Sequence, residues 1–175
     1  MKRYISMFFI IIVGFLMQTS IFPNFQLINI MPNILVILTA ASGFMFGRKV
    51  GIFSGFLCGA LMDLMYGSVV GVGIFIYVLI GYVNGIANKL YFKDDLSIPL
   101  FAIAISDFGY GIMYYICYFL LRGRTDIFSY LIDIIIPEMI YTTLLGVLVY
   151  KFIHWLDDKM YPEEEVPLKK GDRIY

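Results

Sequence analysis

The sequence predicts an all-α integral membrane protein, and its composition is the first reason. Hydrophobic residues make up 61% of the 175 residues, and 16 glycines come in addition. Charged residues are only 15%, against about 25% in soluble domains. A soluble chain of this size buries only about 70% of its surface on folding, so it could not hide this apolar content. The solvent must be a bilayer, which excludes a nucleic-acid-binding module, a disordered chain and a secreted disulfide scaffold.

The placement of charge is the second reason. Of the 26 charged residues, ten lie between Asp157 and Tyr175, which leaves sixteen for the long apolar part of the chain. We therefore expect residues 1–156 to form one transmembrane domain. Residues 157–175 are expected to be a charged cytoplasmic tail.

Six apolar segments are candidate spans, since a helix needs about 20 residues to cross a core about 30 Å thick. They are Tyr4–Phe22, Pro32–Phe46, Val50–Tyr66, Val69–Asn88, Ile98–Leu121 and Leu131–Trp155. The first is longer than a signal-peptide core and no small-residue cleavage site follows it, so it is expected to be an uncleaved span. The second and third are short and could also form a broken hairpin. Arg48 and Lys49 at their junction favour two true crossings, because unpaired bases at membrane depth are costly.

Basic residues predict the orientation of these spans. With a cytoplasmic N-terminus, the cytoplasmic segments hold Lys2, Arg3, Arg48, Lys49, Lys89, Lys93, Lys151, Lys159, Lys169, Lys170 and Arg173. The external side holds only Arg122 and Arg124. The positive-inside rule therefore predicts a six-transmembrane helix bundle with both termini inside, N-in/C-in.

Small residues recur every four positions in the second and third segments. The series is Gly43, Gly47, Gly51, Gly55 and Gly59, then Asp63, Gly67 and Gly71. A second pair, Gly81 and Gly85, repeats the spacing in the fourth segment. On one helix this step keeps small residues on one face, where another helix backbone can approach closely. The spacing predicts tight packing, either within the subunit or against a partner.

Four carboxylates lie in or near spans with no basic residue at matching depth: Asp63, Asp107, Asp133 and Glu138. A buried carboxylate needs a partner or a proton. For Asp63 and Glu138, a functional site and a structural staple between helices remain open alternatives. Asp107 is expected near the midplane, where it could line a cavity, and Asp133 at the interface. Three tyrosines of the fifth span, Tyr110, Tyr114 and Tyr118, form either a polar stripe facing Asp107 or a partner, or ordinary core and interface packing.

Enzyme chemistry is not indicated. The single histidine, His154, stands beside Trp155 at a helix end, where an anchor role is expected. The chain has no G-x-S-x-G motif and no phosphate-binding P-loop. Cys58 and Cys117 lie in apolar runs and are read as small hydrophobic residues. We therefore expect no catalytic site, no metal site and no cofactor.

These residues together form a pattern that resembles the rod shape-determining MreD family. It consists of Pro32-Asn33, then the stretch from Gly47 to Asp63 with its G-x-x-x-G-F-x-x-G-x-x-x-D core, then Gly67 and Gly71, then Gly81-Tyr82-Val83-Asn84-Gly85, and then Pro137. The resemblance covers roughly residues 1–155.

The resemblance implies a non-enzymatic membrane scaffold of the bacterial machinery for cell elongation and peptidoglycan synthesis. Such proteins lie in the cytoplasmic membrane and bind MreC, a single-span protein, which links them to the MreB filament, the glycosyltransferase RodA and its transpeptidase partner. Their fold is similar to that of the six-helix substrate-binding subunits of energy-coupling-factor transporters. The candidate helix-packing or partner-binding residues are Pro32, Asn33, Gly47, Gly51, Gly55, Gly59, Asp63, Gly67, Gly71, Gly81, Gly85, Pro137 and Glu138.

Two mechanisms follow from this resemblance. In the leading one, a partner helix packs on the face formed by Gly51, Gly55 and Gly59, and the acids of the outer half orient the partner. In the alternative, the chain is a membrane-embedded small-molecule-binding subunit of an energy-coupling-factor transporter. Such subunits dock through an alanine-x-x-x-alanine motif in the first span. Here Tyr4–Phe22 contains no alanine, which counts against this coupling but leaves a bound lipid or metabolite open.

Overall fold

A computed structural model describes residues 2–21, 30–67, 69–90, 96–120 and 126–160. The regular structure of these residues is helical, as the composition predicts. The helices are α1 (Lys2–Leu16), α2 (Ile34–Phe46), α3 (Arg48–Tyr66), α4 (Val72–Ala87), α5 (Ser97–Tyr118), α6 (Ile127–Tyr130) and α7 (Ile136–Met160). A π-helical turn, Met17–Ile21, extends α1, and another, Leu131–Ile135, joins α6 to α7.

Four helical segments are long and apolar enough to cross a membrane. They are Tyr4–Ile21, Arg48–Tyr66, Ser97–Tyr118 and Ile127–Lys159. The apolar helices Ile34–Phe46 and Val72–Ala87 are shorter. At 1.5 Å per residue, α2 and α4 are about 20 and 24 Å long, less than the roughly 30 Å of a hydrocarbon core. Their N-terminal N–H groups therefore need partners from within the protein, since lipid offers none.

The core of the molecule is built from α2, α3 and α4. Twelve of the thirteen residues of α2 are buried, from Ile34 to Met45. A helix that is apolar on all sides is expected in such a central position. Its side chains form the main hydrophobic cluster with Ile11 of α1, Ile76 of α4, Ile103 of α5 and Ile153 of α7. The remaining long helices thus pack around α2.

Contacts between helix ends give the direction of each helix. Asn33, before α2, meets Thr142 near the start of α7, and Tyr77 near the start of α4. Helices α2, α4 and α7 therefore run the same way. Tyr4 of α1 packs edge-on against Phe53 of α3, with ring centroids 5.2 Å apart, and α5 is antiparallel to α7. The chain reverses direction at each connection between these long helices.

This arrangement places basic side chains at one end of the bundle, where Asp157 and Asp158 also lie. Arg48, Lys49, Lys89, Lys151 and Lys159 lie toward one end, which we call the basic end. Asp63, Asp126, Asp133 and Glu138 lie toward the other, which we call the acidic end. Several predicted charges lie outside the described residues: Lys93, Arg122, Arg124 and the tail beyond Met160.

The outward faces of the helices carry large apolar side chains. Leu64 is 75% exposed and Phe101 is 72% exposed. On α7 the exposed side chains of Ile140, Leu144 and Leu148 repeat every four residues along one face. Contiguous apolar surface of this kind would be a liability in water and suits a lipid environment.

Candidate functional site

Asp63 caps the start of α4 from the neighbouring helix. Its carboxylate accepts hydrogen bonds from the backbone N–H groups of Gly71 (2.7 Å), Gly73 (2.9 Å) and Ile74 (3.1 Å). Gly71, the residue before α4, makes no side-chain cap of its own. The negative charge also faces the positive end of the α4 dipole. Of the two alternatives that the sequence leaves open for Asp63, the geometry matches the structural staple.

The predicted glycine face of α3 lies directly against the backbone of α4. A Cβ atom on Gly55 would collide with the carbonyl oxygen of Tyr77, and one on Gly51 with that of Gly81. A Cβ atom on Gly59 would lie 2.5 Å from the Cα atom of Ile74. The expectation that a partner helix packs on this face is therefore wrong, because the chain's own α4 already fills it.

The other small residues of the series act at neighbouring places in the same three-helix unit. A Cβ atom on Gly43 of α2 would lie 2.7 Å from the carbonyl oxygen of Gly81, and one on Gly85 would meet the backbone of Arg48. Gly47 has φ +85° at the junction of α2 and α3. At the end of α3, the N–H of Gly67 donates to the carbonyl oxygen of Asp63.

Asn33 joins the start of α2 to two other helices. Its side-chain oxygen accepts hydrogen bonds from the N–H of Val36 (3.2 Å) and from the hydroxyl of Tyr77 (3.1 Å). Its backbone N–H donates to the hydroxyl of Thr142 (3.0 Å). In the first turn of α2, the N–H of Leu35 donates to the side chain of Gln18 (3.1 Å). The short helix α2 thus begins with its donors satisfied by side chains.

Two acids complete this arrangement, which we call the polar cluster: Asn33, Tyr77, Asp107, Tyr110, Glu138 and Thr142. Asp107 is 3% exposed and is hydrogen-bonded to Thr142, but its Oδ1 atom is buried without a hydrogen-bond partner. Glu138 lies next to the Asn33 side chain and within electrostatic range of Asp107. The cluster therefore brings together residues from α4, α5 and α7 and from the start of α2.

The three tyrosines of α5 form a continuous stack beside this cluster. Ring centroids are 5.8 Å apart between Tyr110 and Tyr114, and 4.5 Å apart between Tyr114 and Tyr118. Tyr110 also contacts Tyr77 at 5.3 Å and lies within electrostatic range of Asp107. The stripe expected from the four-residue spacing thus has its inner end at Asp107.

Pro32 and Pro137 are the sequence neighbours of two residues of the polar cluster, Asn33 and Glu138. Pro32 is buried immediately before Asn33. Pro137 is the second residue of α7, next to Glu138 and just after the π-helical turn Leu131–Ile135. Because a proline has no N–H to donate to the preceding helical turn, Pro137 fits a place where the π-helical turn already interrupts the regular α-helical hydrogen bonds.

Several residues that sequence reasoning missed connect helices in the same way. Asn84 of α4 donates to Ser106 of α5 (2.7 Å). Asn88 donates to the carbonyl oxygens of Phe44 (2.6 Å) and Met45 (3.1 Å), which closes the end of α2. Polar side chains within apolar runs were the available signal for these positions. Nothing in the sequence assigns their partners. In the described residues, no group of three or more His, Cys, Asp or Glu side chains is placed to hold a metal ion.

An apolar groove lies on the side of the bundle between α1, α2 and α7. Its volume is about 280 Å³. Every lining residue is apolar: Phe9, Ile10, Val13, Gly14, Met17, Ile34, Leu38, Leu145, Val149, Phe152 and Leu156. The groove contains none of the residues that the sequence singled out.

Comparison with known proteins gives one match. A family model described as "rod shape-determining protein MreD" matches residues 1–157. No curated protein and no solved structure matches the chain significantly. The predicted fold similarity to energy-coupling-factor subunits therefore stays a prediction.

Proposed function

The chain belongs to the MreD family of rod shape-determining proteins, and from that membership we propose that it is a membrane scaffold that binds the transmembrane helix of an MreC-like single-span protein. Its role is rod-shape determination, and the family is one of structural membrane proteins rather than a known enzyme family. Through its partner, the scaffold would help to link the MreB filament with RodA and its transpeptidase in the bacterial cytoplasmic membrane.

We also propose six crossings with both termini in the cytoplasm. Helices α2 and α4 are short, but side chains accept hydrogen bonds from N–H groups at the start of both: Asn33 and Gln18 at α2, and Asp63 at α4. Such capping lets a helix begin inside the apolar layer. The collection of described lysines and arginines at the basic end supports a cytoplasmic position for that end.

The apolar groove between α1, α2 and α7 is the observation that carries the partner proposal. The glycine face of α3 is filled by α4, so a partner helix must dock on another surface. The groove is long, since it follows α7 from Leu145 to Leu156, and it is apolar throughout. Gly14 lets α1 approach Leu38 of α2 closely, so the groove follows the seam between these two helices and α7. Helix association in lipid depends on this kind of van der Waals fit.

The test is a pull-down of the full chain from its native membrane, with bound proteins identified. Val13→Trp and Leu145→Trp fill the groove, and Ile105→Trp adds the same bulk to an exposed position of α5 outside it. We expect wild type and Ile105→Trp to recover a single-span MreC-like protein. The groove variants should recover about tenfold less, which corresponds to about 1.4 kcal/mol.

Two results would count against the proposal. Equal recovery by the groove variants would remove the groove as the docking surface. Recovery of ATPase subunits in place of an MreC-like protein would overturn the scaffold function and favour a transporter subunit.

A further inference from the structure

We propose that Asp107 and Glu138, together with the tyrosine rings beside them, form a binding site for an ammonium group, carried by a lipid headgroup or by a free amine. The proposal goes beyond the scaffold function and does not depend on partner binding. It rests on a buried acceptor without a partner, on neighbouring tyrosine rings and on a route from the acidic end.

One acceptor of the polar cluster has no partner. The hydroxyl of Tyr77 donates to Asn33, and Asp107 is hydrogen-bonded to Thr142. Oδ1 of Asp107 nevertheless remains buried without a hydrogen-bond partner. A buried acceptor without a hydrogen bond is costly, and the repulsion between two nearby carboxylates increases that cost. A bound ammonium group would supply N–H donors to the unpartnered acceptor and a positive charge to the two carboxylates.

The described cations cannot supply this group from within the chain. Arg48, Lys49, Lys89, Lys151 and Lys159 lie toward the basic end, whereas the polar cluster lies in the half of the bundle nearer the acidic end. The nearest arginines in sequence, Arg122 and Arg124, lie outside the described residues. The site is therefore open to a cation from outside the described part of the chain.

Aromatic rings make the site suited to an organic cation. The rings of Tyr77 and Tyr110 are 5.3 Å apart, and those of Tyr110 and Tyr114 are 5.8 Å apart. Glu138 lies within electrostatic range of both Tyr110 and Tyr130. Tyrosine faces attract ammonium groups, and the attraction grows when water is excluded. A carboxylate close to tyrosine rings is a suitable arrangement for recognising an amine.

The tyrosine stack also marks a route of entry. Tyr110 is buried, at 9% exposure, and Tyr114 and Tyr118 are half-buried toward the end of α5. Exposure thus rises along the stack from Asp107 toward the acidic end. The π-helical turn Leu131–Ile135 precedes Glu138 directly, and such turns are frequent at functional sites.

The experiment measures thermal unfolding of the purified full chain in two arms. In detergent, tetramethylammonium chloride and ethanolamine are titrated against sodium chloride at equal ionic strength, with ethylene glycol as the neutral analogue. In nanodiscs, phosphatidylethanolamine is compared with phosphatidylglycerol. A rise in Tm with the free amines assigns a free amine, and a rise only with phosphatidylethanolamine assigns the lipid headgroup. No rise in either arm overturns the proposal.

Variants assign the effect to the site. Asp107→Asn and Glu138→Gln should weaken the response about tenfold or more, as expected for loss of a close charge partner. Asp133→Asn, on an exposed acid just before α7, should leave it unchanged. Should Asp107→Asn fail to fold, Tyr114→Leu should weaken the response and Tyr114→Phe should keep it, because only the ring face is needed. An equal response in all of these variants would contradict the site.

One further outcome would overturn the proposal. If ammonium stabilises the protein only after Arg122→Ala and Arg124→Ala, the arginines of the chain itself occupy the carboxylates. The wild-type protein would then have no vacant ammonium site.

Discussion

The carboxylate of Asp63, near the end of α3, accepts a hydrogen bond of 2.9 Å from the backbone N–H of Gly73 in the first turn of α4. The two residues also touch, since a Cβ atom on Gly73 would collide with Oδ1 of Asp63. A carboxylate can serve several N–H groups at a helix start only if the next residues leave room for it. The Asp63 side chain and the absence of a side chain at Gly73 are therefore both needed to cap α4.

This relationship predicts that Asp63→Ala destabilises the fold. The variant leaves the N–H groups of Gly71, Gly73 and Ile74 without their acceptor at a partly buried helix start. We expect a loss of about 2 kcal/mol or more in the free energy of unfolding. Thermal unfolding in detergent is the measurement. Asp63→Asn should lose less, because one acceptor oxygen remains.

Asp133→Asn provides the control for Asp63, since it removes an acid that is exposed. Its Tm should stay within error of wild type. An equal Tm for Asp63→Ala and wild type would contradict the capping role.

The close approach of α3 and α4 predicts that Gly59→Ala lowers stability. The added Cβ atom would lie 2.5 Å from the Cα atom and 2.7 Å from the N atom of Ile74, so backbone must shift. We expect a cost of about 1–3 kcal/mol, typical of overpacking. For the same reason, Gly55→Leu should destabilise the chain itself, even when no partner is present.

Gly109→Ala is the matched control for Gly59→Ala. It lies within α5, and a Cβ atom there would have nothing within 4 Å. Alanine is the better helix former, so stability should be unchanged or rise by up to about 1 kcal/mol. Equal Tm values for Gly59→Ala and Gly109→Ala would contradict the tight contact between α3 and α4.

Some features of this fold are visible in the sequence because they are local and periodic. The six apolar segments each contain a helix, and the four-residue spacing predicts the close approach seen at Gly51, Gly55 and Gly59. Periodicity identifies a face, however, and not what covers it. Both α4 and a separate protein are compatible with the same spacing, so the spacing alone does not predict which surface binds a partner.

The polar cluster shows the opposite case. Asn33 and Thr142 are separated by 109 residues and Asn33 and Tyr77 by 44. Each is a single polar residue in an apolar stretch, with no local pattern that names its partner. Glu138 and Asp107 stand out because charge is rare in spans, but their neighbourhood depends on the packing of several helices. Tertiary packing decides such sites, and sequence spacing does not encode them.

The contact between Asn84 and Ser106 predicts energetic coupling between α4 and α5. The Asn84 amide donates to Ser106 at 2.7 Å and also to the carbonyl oxygen of Ile80 at 2.9 Å. A double-mutant cycle of Asn84→Leu and Ser106→Ala should give a coupling of about 0.5–1.5 kcal/mol, the range of hydrogen bonds between membrane helices. Unfolding free energies of the two single variants and the double variant supply the measurement.

Thr143→Ala gives a matched control for that cycle. Thr143 donates to the carbonyl oxygen of Met139 four residues earlier, as Ser106 does to Ala102. This hydrogen bond lies within α7, whereas Asn84 lies on α4, so the effects of Thr143→Ala and Asn84→Leu should add. Additivity in the Asn84–Ser106 cycle as well would mean that their hydrogen bond contributes nothing.

Backbone conformation alone predicts that Gly71→Ala destabilises the start of α4. Gly71 has φ +110°, a region that L-residues rarely adopt, and a Cβ atom there would meet nothing within 4 Å. Any loss of stability is therefore due to backbone strain and not to steric collision, and we expect it to be about 1–2 kcal/mol. Gly71→Asn should cost less, because asparagine tolerates positive φ better than alanine. Thermal unfolding of both variants is the measurement, and a Gly71→Ala protein as stable as wild type would show that the turn before α4 adopts another conformation.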